Sequence, residues 1–337
     1  MSMRFAVQDI EEKWLRLLLL DHTTGRNIIW ATDDYAARGQ AYSFTHEITL
    51  PCITGPHNER LVAPRVYKDK DRQSQRTKDK AEVFTPSWVC NAQNNLIDDA
   101  WFARENVFNI TSDDNRQWRA TAEKITFPKG KTWQNYVLAN RLEITCGEAP
   151  YLVSRYDTTT GEVIALDQRI GLLDRKLRVV KENTKSLRAW QEWAIKAFQA
   201  TYGFEYQGDS LLVGRINLFK TFQEYFAERS AFFAEHSSSI KRKVQPDYER
   251  IATIISLNLW QMDGLTFTIP GGQVMAEKVS EQLSLWDDEI DDTGADSGAA
   301  DSFEESTPVL PLATPYCVIK DWTQDTTVTF KSLLKNK

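Results

Sequence analysis

Apolar side chains recur every three to four positions through LRAWQEWAIKAF and again through SLLVGRINLFKTFQEYFAER, which predicts two amphipathic helices, over Leu187 to Thr201 and from Ser210 onward. The same spacing predicts helices over Ile10 to Leu19, Val89 to Ala100, Lys131 to Asn140, Ile164 to Val179 and Asp247 to Ser256. Between them lie short runs of strand character: RLEIT ending near residue 145, YGFEYQG over 202 to 208, and LNLWQMDGL. Strands alternating with helices predict an α/β chain with a parallel sheet and helices on both faces. RLEITCGEAPYLV adds a detail, a tight Cys146-Gly147 turn and then a helix from about Pro150 that carries Tyr151, Leu152 and Val153. The first 60 residues read differently, as one helix followed by β-rich text (NIIWAT, AYSFTHEITL, PCITG), and predict a small appendage. Two further strands, PYCVIKDW and TTVTFKSLL, close the chain.

With 337 residues of which 42% are apolar, the chain builds a proper core and belongs to the soluble globular class. Its longest early apolar run, Leu15 to Leu20, is interrupted by Arg16 and too short to span a bilayer, and no cleavage site follows it. Cys52, Cys90, Cys146 and Cys317 stand singly, so neither a zinc site nor a disulfide framework is expected, and a cytoplasmic, reducing location is the default.

Charge changes the picture more. The net charge of −6 speaks against nucleic acid until its distribution is read: nine acids fall between Asp287 and Glu305, in a stretch without lysine or arginine. Without that insert the body is slightly positive. The insert, residues 281 to 310, is too polar to order itself. Residues 65 to 80, RVYKDKDRQSQRTKDK, carry seven basic residues against three aspartates and read as an exposed loop, either a solvated linker or a contact for phosphates.

Three strand ends carry the candidate chemistry. The Cys146-Gly147 loop offers backbone amides that suit a carboxylate or a phosphate equally. At the second strand end Glu205 is placed to accept both hydroxyls of a ribose, with Asp209 as the alternative contact. At the third, Asp263 is placed to accept from an adenine amine with Trp260 or Met262 packing nearby; before Gly264 it equally suits a turn.

These segments resemble adenine-specific DNA methyltransferases of restriction-modification systems. AEVFTPSWVCNAQNNLID (81 to 98) is similar to that family's G-x-x-F-T-P opening, in which the turn lies against the methionine end of S-adenosylmethionine. The resemblance places Phe84, Thr85 and Pro86 in that role. LEITCGEAPYL resembles the family's cofactor loop, L-E-P-x-C-G-x-G-x-F-L, with Glu143, Cys146 and Gly147 matching, Ile144 in place of the proline and Ala149 in place of the second glycine. YGFEYQGDSLLVGRINL resembles the G-x-E segment and its A-R-x-N-L helix, which puts Glu205 on the ribose; ISLNLWQMDGL resembles N-I-x-x-x-D-x-L, which puts Asp263 near adenine. The resemblance covers roughly residues 65 to 337. It implies a Rossmann-like S-adenosylmethionine-dependent methyltransferase sheet, an enzyme that methylates adenine in double-stranded DNA, and S-adenosylmethionine as cofactor. The chain then divides into an α+β appendage (1–64), the basic loop (65–80), the cofactor-binding α/β domain (81–280), the acidic insert (281–310) and a C-terminal strand pair of the same domain (311–337).

One motif of the family is missing. An exocyclic adenine amine is a poor nucleophile, and the family answers with Asn/Asp-Pro-Pro-Tyr/Phe, whose carbonyls accept the amine hydrogens while the aromatic stacks on the flipped base. None of the eleven prolines here is next to another. The ending VIKDWTQDTTVTFKSLLKNK looks like the text that precedes the catalytic strand in full-length relatives. The expectation is therefore a cofactor-binding modification subunit, with no catalytic residues of its own, whose partner chain supplies the catalytic loop and target recognition. The alternative is an inactive DNA-binding or scaffold subunit with a decayed cofactor pocket. A nicotinamide-linked enzyme is disfavoured because no G-x-G-x-x-G lies at the loop.

Overall fold

The structure, a computed structural model, describes residues 7–55, 57–58, 61–68, 85–114, 116–236, 244–272 and 315–334. Phe84, the acidic insert and the basic loop beyond Lys68 lie outside the described residues. In chain order the helices are α1 (Glu12–Leu19), α2 (Leu50–Thr54), α3 (Ser87–Phe102), α4 (Trp133–Leu138), α5 (Leu172–Asn183), α6 (Leu187–Gln199), α7 (Gly208–Glu235), α8 (Tyr248–Asn258) and α9 (Phe330–Leu334). The strands are β1 (Leu20–Asp21), β2 (Arg26–Asn27), β3 (Asn109–Thr111), β4 (Trp118–Ala120), β5 (Arg141–Glu143), β6 (Thr201–Glu205), β7 (Leu259–Gln261), β8 (Val318–Asp321) and β9 (Thr326–Thr329).

Helix boundaries follow local chemistry. Thr132 and Asn135 form a reciprocal capping box that starts α4, and the Ser186 hydroxyl accepts from Ala189 N at 3.2 Å to start α6. Pro51, in the first turn of α2, has the φ a helix requires, and this turns PCITG, expected as strand, into helix. The β-rich reading of the N-terminal region reduces to the two-residue pair β1–β2 and an isolated bridge between Ile29 and Glu47. Of the helix expected over Ile164 to Val179, only the part from Leu172 is α-helical.

The chain is mixed α/β, and its central element is a three-stranded parallel sheet in the order β5-β6-β7. The register sets Glu143 beside Gly203 and Glu205 beside Gln261, so the carboxyl ends of all three strands open on one side. The crossovers run through α5 and α6, and through α7 and α8. Three further antiparallel pairs, β1–β2, β3–β4 and β8–β9, complete the strands. Among the described residues β5 pairs with β6 alone, and Leu142 and Ile144 beside its open edge are 46% and 65% exposed. An unpaired, apolar strand edge is a place where another strand adds.

One hydrophobic core runs from Val7 to Leu259, so Leu15, Trp30 and Ile48 of the N-terminal region are buried in the same cluster as Phe219 and Ile255. The N-terminal segment is stitched on by polar contacts as well. The guanidinium of Arg215, fully buried on α7, donates to the carbonyls of Leu18 and Leu20 on one side and of Leu259 and Ser256 on the other. A smaller cluster of Phe204, Trp260, Met262, Cys317 and Ile319 lies between the sheet and the β8–β9 hairpin. No helix among the described residues is long and apolar enough to cross a membrane.

Candidate functional site

The loop after β5 packs three residues of left-handed backbone into five positions: Thr145 (φ 47°), Gly147 (φ 51°) and Ala149 (φ 62°). Ala149 therefore keeps the conformation that glycine prefers, at a cost of roughly 1–2 kcal/mol for its Cβ. The surroundings hold it there. Cys146 N donates to Phe204 O at 2.8 Å, and Ala149 N to Cys146 O at 2.7 Å. On the far side, Asn217 of α7 donates from Nδ2 to Glu148 O and to the Tyr156 hydroxyl, both at 3.0 Å. Tyr156 in turn donates to the Glu148 carboxylate, which also accepts from the backbone of Arg65. Gly214 lets α7 approach the loop, because a Cβ there would stand 2.8 Å from Gly147 O.

The helix expected from Pro150 does not form. After a single turn, in which Leu152 and Val153 N donate to Ala149 O, the chain leaves the helical path because its next carbonyls are taken elsewhere. The amides of Tyr151 and Leu152 turn to the Glu143 carboxylate, and the carbonyls of the same two residues accept from Leu172 and Leu173 at the start of α5. Asp174 then receives the Ser154 amide and hydroxyl at 2.8 and 3.2 Å, fixing the exit from the loop.

Two buried carboxylates thus face the loop. Glu143 accepts from Tyr151 N and Leu152 N at 3.4 and 3.2 Å; Glu205, at the carboxyl end of β6, accepts from Gly147 N at 2.8 Å and Gln207 N at 3.1 Å. Burial, reinforced by Glu205 nearby, pushes the Glu143 carboxyl well above the usual range. Burial first, and then both carboxylates, push the Cys146 thiol up as well, so it stays protonated and acts as loop packing. Amides that serve a diphosphate must point at open space, and here those of Gly147, Tyr151 and Leu152 point at carboxylates and those of Cys146 and Ala149 at carbonyls.

Thr85 and Pro86 reach this loop from outside. Pro86 caps α3, the Thr85 carbonyl accepts from Thr158 Oγ1 at 2.9 Å, and the Ser87 amide donates to Asp157 at 2.7 Å. Tyr151 stands between Thr85, Cys90 and Glu143, and burial pushes its hydroxyl up to about 12. The turn, the loop and Glu143 are therefore one cluster.

Asp263 follows β7, where Met262 N donates to Glu205 O at 3.0 Å. Its Oδ1 accepts from Leu265 N at 2.8 Å and Thr266 N at 3.4 Å, so the turn reading of this residue is realised. Oδ2 of Asp263 takes no hydrogen bond among the described residues. Trp260 and Met262 are not beside it as ligand walls: both are buried under the β8–β9 hairpin, with Trp260 Nε1 3.3 Å from Met262 Sδ. Asp209 is removed as a ribose contact too. It is fully buried at the start of α7, where Oδ2 accepts from Tyr35 at 2.6 Å and pairs with Lys68 at 2.8 Å.

Glu143, Cys146, Gly147, Glu205 and Asp263 thus come together at the carboxyl ends of the sheet, with Thr85 and Pro86 behind the loop. The hub of Glu148, Tyr156 and Asn217 was not singled out by sequence, although Asn217 belongs to the R-x-N-L text. Among the described residues no cluster of histidine, cysteine or carboxylate has the form of a metal site. Comparison with protein-family models, with curated proteins and with solved structures gave no match to this chain.

Proposed function

We propose that the chain binds S-adenosylmethionine at the carboxyl ends of β5, β6 and β7, as the modification subunit of a DNA adenine methyltransferase whose catalytic loop comes from a partner chain. The observation that carries this reading is the set of three strand-end carboxylates, Glu143, Glu205 and Asp263, around a loop whose amides are turned inward. Such a site suits a cofactor rich in hydrogen-bond donors and cationic at sulfur and amine, and disfavours a diphosphate. Glu205 stands at the carboxyl end of β6, the position from which an acid reaches a ribose. S-adenosylmethionine meets each demand, with its methionine end toward the Thr85–Pro86 turn. A Rossmann-like sheet of the methyltransferase type is the fold this reading implies, and the edge of β5 that is unpaired among the described residues is where a further strand would extend the sheet.

When bound, the cofactor supplies the methyl group. The residues of this chain hold it; the acceptors for the amine of the target adenine in DNA belong to the partner. Equilibrium dialysis against methyl-labelled S-adenosylmethionine together with duplex DNA is the test. Label retained by the protein, and none in adenine, is the expected result. No retention contradicts the cofactor reading, and label in adenine without a partner contradicts the split one.

A further inference from the structure

The pairing register sets two acids on one face of the sheet. Glu143 lies opposite Gly203, and Glu205 stands two residues further along β6, so both side chains leave the sheet on the same side. Gly203 has no side chain there, and Cys146 takes the room it leaves: a Cβ on Gly203 would stand 3.2 Å from Cys146 Sγ. All three side chains are buried. A carboxyl, a thiol and a second carboxyl are thus gathered under the loop, and each carboxylate acts on the thiol.

The two acids are not held alike. The amides on Glu205 stand at 2.8 and 3.1 Å, those on Glu143 at 3.4 and 3.2 Å, and hydrogen bonds to an ionised carboxylate are the shorter kind. The titratable groups that face Glu143 are Glu205 of β6, Cys146 and Tyr151 of the loop, and Cys90 of α3, each neutral or negative. Arg215 of α7 bears on the Cys146 thiol, but its donors are taken by four backbone carbonyls. Among the described residues no cation pairs with Glu143. A carboxyl buried without a cation and beside a second carboxyl favours its neutral form.

We propose that Glu143 carries a proton in the unliganded chain and gives it up when a cationic ligand enters the site, so that uptake of S-adenosylmethionine is coupled to proton release. This rests on the proposed function and assigns that site a pH dependence. The O–H bond of Glu143 breaks, the proton passes to water or buffer, and the carboxylate left behind faces the positive charge. Because the bound form holds one proton fewer, affinity rises with pH, by up to about tenfold per pH unit for one linked proton, until Glu143 is ionised without the ligand. S-adenosylhomocysteine has no sulfonium charge, so it draws out less of the proton.

The test is calorimetric titration of the full chain with S-adenosylmethionine and, separately, with S-adenosylhomocysteine, across neutral pH and in buffers of different ionisation enthalpy, for the wild type and for Glu143→Gln. The variant keeps a side-chain carbonyl for one amide and has no proton to give. With S-adenosylmethionine the wild type is expected to release more protons than Glu143→Gln and to gain affinity more steeply with pH; with S-adenosylhomocysteine this excess shrinks. The ligand's own amine titrates alike in both proteins and cancels from the comparison. Infrared difference spectroscopy of the wild type gives a second reading that does not depend on the variant folding: a protonated-carboxyl band that disappears on adding S-adenosylmethionine. Equal proton release and parallel pH profiles in the wild type and folded Glu143→Gln, or a carboxyl band that S-adenosylmethionine leaves unchanged, overturns the inference while leaving the proposed function standing. A wild type that does not bind S-adenosylmethionine overturns both.

Discussion

Glu205→Ala weakens S-adenosylmethionine binding by roughly 10–100-fold, the range expected when a charged hydrogen-bond acceptor is removed from a buried site. Two losses combine. The ribose loses its acceptor, and the Gly147 and Gln207 amides, at 2.8 and 3.1 Å from the carboxylate, lose theirs, so the loop is released as well. Glu205→Gln separates the two: its carbonyl oxygen still accepts from one amide, while the charge and the second acceptor are gone. Calorimetric titration of both variants is expected to place Glu205→Gln between the wild type and Glu205→Ala. Equal affinity in all three proteins removes Glu205 from the site.

The second large effect concerns the frame behind the site. Asp98 and Arg175 form an ion pair of 2.6 Å with each side chain 1% exposed. Tyr136 donates to Asp98 at 2.9 Å, and the second guanidinium nitrogen of Arg175 donates to Asn91 and Asn95 at 3.0 and 2.7 Å. The network ties α3, which the Thr85–Pro86 turn starts, to α4 and α5. Asp98→Ala leaves a buried guanidinium uncompensated and costs about 3–5 kcal/mol. Asp98→Leu combined with Arg175→Met removes both charges of the pair and is expected to recover part of that loss in urea denaturation, the remainder belonging to Arg141, which also pairs with Asp98 at 3.9 Å. A single variant within about 0.5 kcal/mol of wild type would mean that the pair is solvated and the network does not brace the frame.

How much of this was written in the sequence depends on the kind of contact. The helices α6, α7 and α8 and the strands β6 and β7 were legible because their apolar periodicity coincides with burial in one core. Helix α4 was legible too, and Thr132 and Asn135, three residues apart, supply its start. The missing helix after Pro150 was not legible, because what stops it is long-range: the start of α5 takes the Tyr151 and Leu152 carbonyls that a helix would use for its own ladder. The same holds for Asp209. Its neighbours in sequence suggested a mouth residue, but Tyr35 and Lys68, far away in the chain, make it part of the frame. Trp260 and Met262 alternate with residues facing the other way, and which face is covered depends on the distant β8–β9 hairpin. The placement of Glu143 and Glu205 at strand ends and of Gly147 in the loop was legible because such positions leave a local mark. The contact of Phe44 with Tyr206 was not, because nothing in AYSFTHEITL points to a strand end some 160 residues later.

The claim on which everything else rests is that one cofactor sits at three particular strand ends. Hydrogen exchange of the backbone amides, followed by mass spectrometry with and without saturating S-adenosylmethionine, locates it directly. Slowed exchange confined to residues 144–152, 205–208 and 263–266 is the predicted result; no slowing there, whether the cofactor protects another region or none, contradicts it.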